Sequence, residues 1–272
     1  MRVPQAHTLN EVIERLDEII RYAQVRSSRL GYFPALYKKV TIAVQEGIAR
    51  GAFDDGPRME ELDVIFANRY LEAFDAWVNG RPCTASWRLA FEASQERHLI
   101  ILQHLMLGMN AHINLDLGIA AAHTAPGQAI SGLKADFYRI NLVLAALVDQ
   151  VQDEIGGVSP AVRVLDRMAG RLDEHAAEQG LKLFRNLAWR HARRFAGTPP
   201  REQEAELFRL DRYVSLLGRK LRSPGRLAGL ALRFTRLGEQ ADPAAVIRGL
   251  DHLPSPKPAL LLPNGWEQEM EA

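Results

Sequence analysis

Short polar side chains that could do acid–base or metal chemistry are concentrated in one apolar segment, residues 102–123. On an α-helix, Asp116 is rotated by about 40° from His112, and His123 by about 20° from His112. These three side chains would therefore share one helical face. A histidine and a carboxylate on successive turns can chelate a divalent metal, with His112, Asp116 and His123 as candidate ligands. Equally, Asp116 could orient the imidazole of His112 as a general base.

The same segment offers further polar groups, and a structural alternative has to be weighed against a functional one. A histidine and an aspartate four residues apart often only stabilise a helix or its packing. However, Asn110 and Asn114 lie on the opposite side of the same turns, and a helix that is polar on two faces is costly to bury without partners. We predict that His112 and Asp116 are catalytic and that Asn110 and Asn114 bind substrate. We also predict that His104 binds substrate, since on an α-helix it is rotated by about 80° from His112 and could reach the same groove.

The following helix, predicted over residues 131–155, presents an apolar stripe from Phe137 to Val151. Asp136 and Asn141 lie about 65–75° to either side of that stripe and flank the buried face. We predict a catalytic role for Asp136 and a substrate-binding role for Asn141. The alternative for Asp136 is that it complements the helix dipole at the start of the helix.

Four residues outside these two helices complete the candidate site. Trp87 and Arg88 could stack over a planar or anionic ligand, although such a pair is also common in packing and on surfaces. Arg69 and Tyr70 lie on an apolar helix, where Arg69 could pair with an internal acid. We predict that all four bind substrate. Nucleotide-binding glycine loops, the nucleophile elbow of hydrolases, the His-Glu-x-x-His zinc motif and the paired Glu-x-x-His of di-iron bundles are missing from the sequence.

The elements that must position these residues are helical throughout. Apolar residues recur at three- and four-residue steps, with start signals at Thr8, Pro34, Pro57 and Thr198-Pro199-Pro200. Residues 84–125 are predicted to form one long helix or two collinear ones, with Gly108 as the weak point. No run alternates with period two over strand length. The fold class is therefore all-α, a bundle of about eight to ten helices. We predict one domain over residues 1–255, with a candidate seam at 156–159, and an extended tail over 256–272.

Composition excludes several classes of protein. The net charge of +1 over 272 residues argues against a nucleic-acid partner, and a lone cysteine, Cys83, excludes a disulfide scaffold and indicates a reducing compartment, the cytoplasm. Neither a signal peptide nor a transmembrane segment is expected, because no apolar run is long enough. Residues 181–226 contain 12 Lys or Arg and 4 Asp or Glu, and we expect these cations to pair with the acidic N-terminal half rather than with an external anion.

Residues 108–117 carry a motif that resembles a bacterial family of unknown function, common in actinobacteria. The family is recognised by a similar Asn-Ala-His-Ile-Asn-x-Asp-Leu signature, here residues 110–117. The similarity extends to residues 58–71, to Trp87-Arg88 and to Asp136-Phe137 with Asn141, and covers much of residues 30–155. The resemblance implies a shared site but no particular reaction.

A weaker similarity links His112, Asp116 and His123 to the His-x-x-x-Asp…His helix of zinc-dependent phospholipase C and single-strand nuclease folds. The Gln-Pro-Leu-His ending and the N-terminal tryptophan ligand of that group are missing from this sequence. The resemblance implies a divalent metal as cofactor, whereas the residues themselves require none.

Three hypotheses follow for the function. The leading one is a cytoplasmic all-α enzyme of specialised metabolism that acts on a small, largely apolar molecule in a pocket of the bundle core, with the protein itself a candidate homo-oligomer. The second is a non-catalytic ligand-binding or scaffold protein whose polar core fixes the packing of the helices. The third is a metal-dependent phosphoesterase.

Overall fold

The computed structural model describes residues 1–140, 186–225 and 242–252, together with residues 232, 236, 238 and 239. All regular structure within these residues is helical and none of it is a strand, which confirms the all-α, multi-helix prediction. Asn141, the candidate seam at 156–159 and the tail at 256–272 lie outside the described residues. No helix in the described ranges is long and apolar enough to cross a membrane.

The first and third helices begin where the sequence predicts, and the second begins two residues before Pro34. Their bounds are Leu9–Val25 (α1), Tyr32–Ala49 (α2) and Gly56–Val78 (α3). The hydroxyl oxygen of Thr8 accepts a hydrogen bond from the Glu11 amide at the start of α1, and Pro57 occupies the first turn of α3. Gly51 and Gly80, just beyond α2 and α3, have positive φ angles of 69° and 66°, the conformation that commonly ends a helix.

The segment predicted as one long helix is broken at a different place. It forms α4 (Ala85–Ala93) and α5 (Ile101–Ala111), followed without interruption by a π-helical turn (His112–Leu117) and α6 (Gly118–Thr124). The break falls at residues 94–100 and not at Gly108. A Cβ atom on Gly108 would lie 2.6 Å from the ring of Phe33. Gly108 therefore serves a close approach between α5 and α2 rather than a hinge.

The π-helical turn changes which side chains share a face. In such a turn the backbone hydrogen bonds span five residues instead of four, so the turn holds more residues than an α-helical one. A projection at α-helical spacing is therefore wrong for everything that follows His112. This is the physical reason why the predicted alignment of His123 with His112 fails.

The remaining described helices close the bundle. They are α7 (134–140), preceded by a 3₁₀ turn over Gly127–Leu133, then α8 (186–196), α9 (Pro200–Arg222) and α10 (Pro243–His252). Helix α9 packs on α4 and α5, and α10 packs on α1 and α2. Buried acids on one element hold the start of another: Asp211 of α9 accepts from the amides of Ala85 and Ser86, and Glu239 accepts from the amide of Ile101.

Candidate functional site

Asp116 forms the centre of a buried polar cluster that joins three elements. One of its carboxylate oxygens accepts a hydrogen bond from Arg69 Nε of α3 at 2.7 Å, and the other accepts from Trp87 Nε1 of α4, also at 2.7 Å. His112 Nδ1 lies 3.4 Å from the second oxygen. Because the π-helical turn carries both His112 and Asp116, this short stretch of chain places the carboxylate between the indole and the guanidinium.

The environment of Asp116 favours its ionised form. Complete burial by itself would raise the pKa of this carboxyl, but Arg69, His112 and Trp87 together outweigh burial and hold the pKa below its usual value. The guanidinium of Arg69 retains partial contact with solvent, with 22% of its side chain exposed. The pair is therefore a charge-assisted contact between a buried anion and a cation at the edge of the core.

His112 is held in a box of aromatic rings. Its ring stacks on Phe66 with centroids 3.6 Å apart and meets the ring of Tyr37 edge-on at 4.4 Å. Burial lowers the pKa of His112, and the contact with Asp116 opposes this only in part, so the imidazole is neutral near pH 7. Since Nδ1 faces the carboxylate, Nδ1 carries the proton and Nε2 presents a lone pair. That Nε2 atom is buried and has no hydrogen-bond partner.

Asp63 is a buried acid in the core that the sequence analysis did not single out. Its side chain is 1% exposed and its Oδ2 has no hydrogen-bond partner, and burial raises its pKa to about 7. The hydroxyl oxygens of Tyr37 and Tyr70 are also buried without partners. The signal was available in the sequence, because Asp63 falls within the apolar stripe of α3 between Met59 and Phe66.

A cleft lies beside this cluster, between α2, α3, α4 and α5. Its cavity volume is about 20 Å³, room for about one water molecule, within an indentation of about 320 Å³ that includes open solvent. Its walls include the rings of Phe33, Tyr70, Trp87 and His104. Trp87 therefore connects the cluster with the cleft, because its indole N–H donates to Asp116 and its ring forms part of the cleft wall. Arg29 is the cation among the lining residues.

His104 supplies the most unusual polar surface of the cleft. The residue is 7% exposed, and neither of its ring nitrogens has a hydrogen-bond partner of good geometry. Burial lowers its pKa to about 3, and the positive charges of Arg29 and Arg236 lower it further, against a small opposing effect of the Leu99 backbone. The neutral ring can donate one hydrogen bond and accept one.

The structure thus brings His112, Asp116, Arg69, Trp87 and Tyr70 together, and places His104 on the adjoining cleft. Asp136, predicted to be catalytic, serves another purpose. Its two oxygens accept hydrogen bonds from four donors: the backbone amides of Asp54 and Asp55 and the guanidinium groups of Arg58 and Arg139. A carboxylate with both oxygens engaged in this way fixes the turn before α3 and has no free lone pair aimed at a substrate.

Asn110 and Asn114 turn away from the cluster and toward α9. The amide of Asn110 donates to the carbonyl of Val214 at 3.0 Å, and that of Asn114 donates to Asn110 Oδ1 at 3.0 Å. These hydrogen bonds connect α5 to α9. Arg88 also lies outside the site, on the surface, with Glu92 3.9 Å away.

The predicted metal set does not assemble. His123 is exposed and stacks on Phe195 of α8 at 5.9 Å between centroids, because the π-helical turn moves it away from His112 and Asp116. Within the described ranges, no three His, Cys, Asp or Glu side chains are grouped so as to hold a metal ion.

Comparison with known proteins gives a family but no activity. No match was found among curated proteins or among solved structures. A family model does match, over residues 9–224, which extends well beyond the 30–155 range of the resemblance seen in the sequence and includes the cluster, the cleft and α9. The chain belongs to DUF5995, a family of unknown function.

Proposed function

We propose that the chain binds a small, largely apolar molecule in the cleft between α2 and α5, with His104 and Tyr70 as its polar contacts. The observation that carries this proposal is the unpaired state of buried polar atoms on the cleft residues. Both ring nitrogens of His104 and the hydroxyl of Tyr70 lack a hydrogen-bond partner of good geometry. Buried groups of this kind cost free energy unless a ligand or an ordered water satisfies them.

The lining defines the chemistry of the ligand. Three aromatic rings, from Phe33, Tyr70 and Trp87, give an apolar wall that suits a planar or ring-shaped molecule. The ligand would need one group that exchanges hydrogen bonds with His104 or Tyr70. Arg29, at the same cleft, favours a ligand whose polar group is neutral or negative.

In this proposal the Asp116 cluster supports the site instead of reacting. The hydrogen bond from Trp87 Nε1 to Asp116 holds the Trp87 ring of the cleft wall in place, and the stacking of His112 on Phe66 orders the core next to it. Locked side chains lower the conformational entropy lost on binding. This places the protein closer to a cytoplasmic ligand-binding protein than to an enzyme that uses His112 directly.

Ligand-observed NMR tests the proposal with three probes: phenol, indole and benzoate. We expect saturation transfer to at least one probe. The substitution Ala90→Phe, at a half-buried position on the cleft wall, should abolish the signal by filling the space. Ala205→Phe on the exposed face of α9 adds the same ring away from the cleft and should leave the signal intact. Transfer to none of the probes, or equal transfer to the Ala90→Phe variant, would contradict the proposal.

A second candidate is catalysis with His112 as general base, and one observation favours it. His112 is neutral with an unpaired Nε2 and an ionised carboxylate behind it, the arrangement of an oriented base. His112 is not among the residues that line the cleft, whereas the rings of Phe33, Tyr70 and Trp87 line it and pack near the His112 ring. A reaction at Nε2 would therefore require side chains to move. Incubation of a cell extract with wild-type protein and with His112→Gln, followed by untargeted mass spectrometry, separates the candidates. A metabolite consumed only by the wild-type protein supports catalysis, and identical profiles support binding alone.

A further inference from the structure

The outer face of α9 between residues 208 and 222 combines apolar and basic side chains with no acid. Seven residues of this stretch are exposed: Phe208, Arg209, Arg212, Tyr213, Leu216, Arg219 and Lys220. Phe208 is 67% exposed, Tyr213 42% and Leu216 51%. The acid of this stretch, Asp211, is buried and holds the start of α4. Three of the large apolar side chains that the described chain exposes therefore share one helical face with four cations.

The charge on this face is largely uncompensated, which corrects the expectation that the basic stretch pairs with the acidic N-terminal half. Arg194 and Arg209 pair with Glu206 of the same segment, and Arg222 pairs with Glu92 and Glu96 near α4. Among the described residues, no acid forms an ion pair with Arg212, Arg219 or Lys220. An occupant of this face should therefore be negatively charged.

We propose that this face of α9 rests on an anionic lipid surface. Arg212 lies one turn from both Phe208 and Leu216, so cations alternate with apolar side chains along the helix. Protein interfaces usually separate an apolar centre from a polar rim, and a two-fold contact between copies of this face would oppose like charges. In contrast, a phospholipid headgroup layer accommodates alternation, because apolar side chains enter the acyl boundary while basic ones reach the phosphates.

In the proposed docking mode, the apolar and basic side chains of this face contact different layers of the membrane. Phe208 and Leu216 enter the boundary between headgroups and acyl chains, and Tyr213 keeps its hydroxyl among the headgroups. The basic groups of Arg212, Arg219 and Lys220, which have no acidic partner among the described residues, bind lipid phosphates. This inference does not depend on the cleft, since it uses only exposed side chains of α9.

Vesicle flotation of the full chain tests this inference. We expect binding to vesicles of phosphatidylserine and phosphatidylcholine, weak or no binding to phosphatidylcholine alone, and loss of binding as ionic strength rises from about 0.1 M to about 1 M. Arg212→Gln with Arg219→Gln should lower the partition coefficient on anionic vesicles about 25-fold, since each surface cation changes it about fivefold. The matched control, Arg21→Gln with Arg97→Gln, removes two exposed arginines elsewhere and should change it little.

The apolar part of the face needs its own variant. Phe208→Ser with Leu216→Ser should weaken binding even at low salt, and circular dichroism should show an unchanged fold because both side chains are exposed. Four results would overturn the proposal: equal binding to neutral and anionic vesicles, no binding to either, wild-type binding by the Arg212→Gln, Arg219→Gln variant or by the Phe208→Ser, Leu216→Ser variant, or capture by polyglutamate in the absence of vesicle binding. A dimer in sedimentation velocity that the serine variant dissociates would assign the face to a second copy and would also overturn it.

Discussion

Asp116 connects Arg69 on α3, Trp87 on α4 and His112 on the π-helical turn through one buried carboxylate. Each of these partners also has an apolar surface that packs in the core. The carboxylate therefore determines how several rings are arranged, including the Trp87 ring on the cleft wall. A buried charge of this kind tolerates the loss of a partner poorly, because the remaining group stays desolvated.

Replacement of Asp116 by alanine should be strongly destabilising. The change leaves the Trp87 indole N–H without an acceptor and the Arg69 cation without its anion, and we expect the free energy of unfolding to fall by about 3–5 kcal/mol in urea titrations. Asp54→Ala, which removes an acid that is 55% exposed and paired with Arg139, should cost less than about 1 kcal/mol. Equal losses in the two variants would show that the Asp116 cluster does not support the core.

The buried carboxyl group of Asp63 should make the stability of the fold depend on pH. Its pKa is raised to about 7 in the folded chain by burial, whereas an aspartate in an unfolded chain titrates near 3.9, so between about pH 4 and 7 the folded state holds a proton that the unfolded state releases. This group's contribution to stability is full below about pH 4, declines as the pH rises toward 7, and is constant above that.

Asp63→Asn should remove this dependence, since the amide is neutral at every pH. We expect the variant to gain on the order of 2–4 kcal/mol over the wild type at pH 8 and much less at pH 4. The difference in unfolding free energy between the two proteins at each pH isolates this group from other titrating residues, such as Glu239. A difference that does not change with pH would mean that Asp63 is already ionised in the fold.

At the level of residues, the sequence could predict the local part of the site and not the rest. The four-residue spacing of His112 and Asp116 is enough to bring the two side chains together, because a single turn of one helix carries both. The task of Asp136 could not be seen, since its donors at Asp54 and Asp55 come from a distant turn. Asp63 could have been noticed from its place in the α3 stripe.

Among the elements, α5 makes a close approach to α2 at Gly108. A side chain on Gly108 would collide with Phe33, which contacts the rings of Tyr70, Trp87 and His112. Gly108 and Phe33 both line the cleft, so a larger residue at position 108 would change the cleft wall as well as the spacing of two helices.

Gly108→Ala should destabilise the chain by about 1–3 kcal/mol, because the added methyl group displaces a ring in a packed core. The matched control is Gly249→Ala in α10, where a Cβ atom would meet nothing within 4 Å. That change should stabilise the chain by up to about 1 kcal/mol, since alanine favours a helix over glycine. Thermal unfolding of both variants measures this, and a Gly108→Ala variant as stable as the wild type would contradict the close approach.

Element boundaries could be predicted where a residue type marks them. Thr8 and Pro57 mark helix starts in the sequence, and the structure confirms them. Gly51 and Gly80, with their positive φ angles, are helix-ending residues of a type that sequence can also indicate. The break over residues 94–100 contains neither glycine nor proline, so no local signal marks it. The amide of Ile101, which begins α5, is instead held by Glu239, and such distant contacts do not appear in a helical period. The π-helical turn is equally hidden, because its sequence is compatible with an α-helix.

At the scale of the molecule, the all-α architecture follows from helical periodicity and from the lack of strand patterns. The position of the cleft does not, since it depends on how four helices meet. Its walls come from α2 through α5. Helix α9 supports two of these helices, because its Asp211 accepts a hydrogen bond from the start of α4 and its backbone accepts one from Asn110 of α5. The proposed function therefore depends most on whether the space beside His104 accepts a ligand.

The imidazole nitrogens of His104 give the most direct test of that claim. We expect titration with indole, followed by long-range ¹H–¹⁵N NMR of the histidine rings, to shift the His104 signals and to leave exposed His252 on α10 unchanged. The Ala90→Phe variant should show no shift at His104. If indole leaves the His104 nitrogens of the wild type unperturbed, or shifts them equally in the filled variant, the cleft is not the binding site.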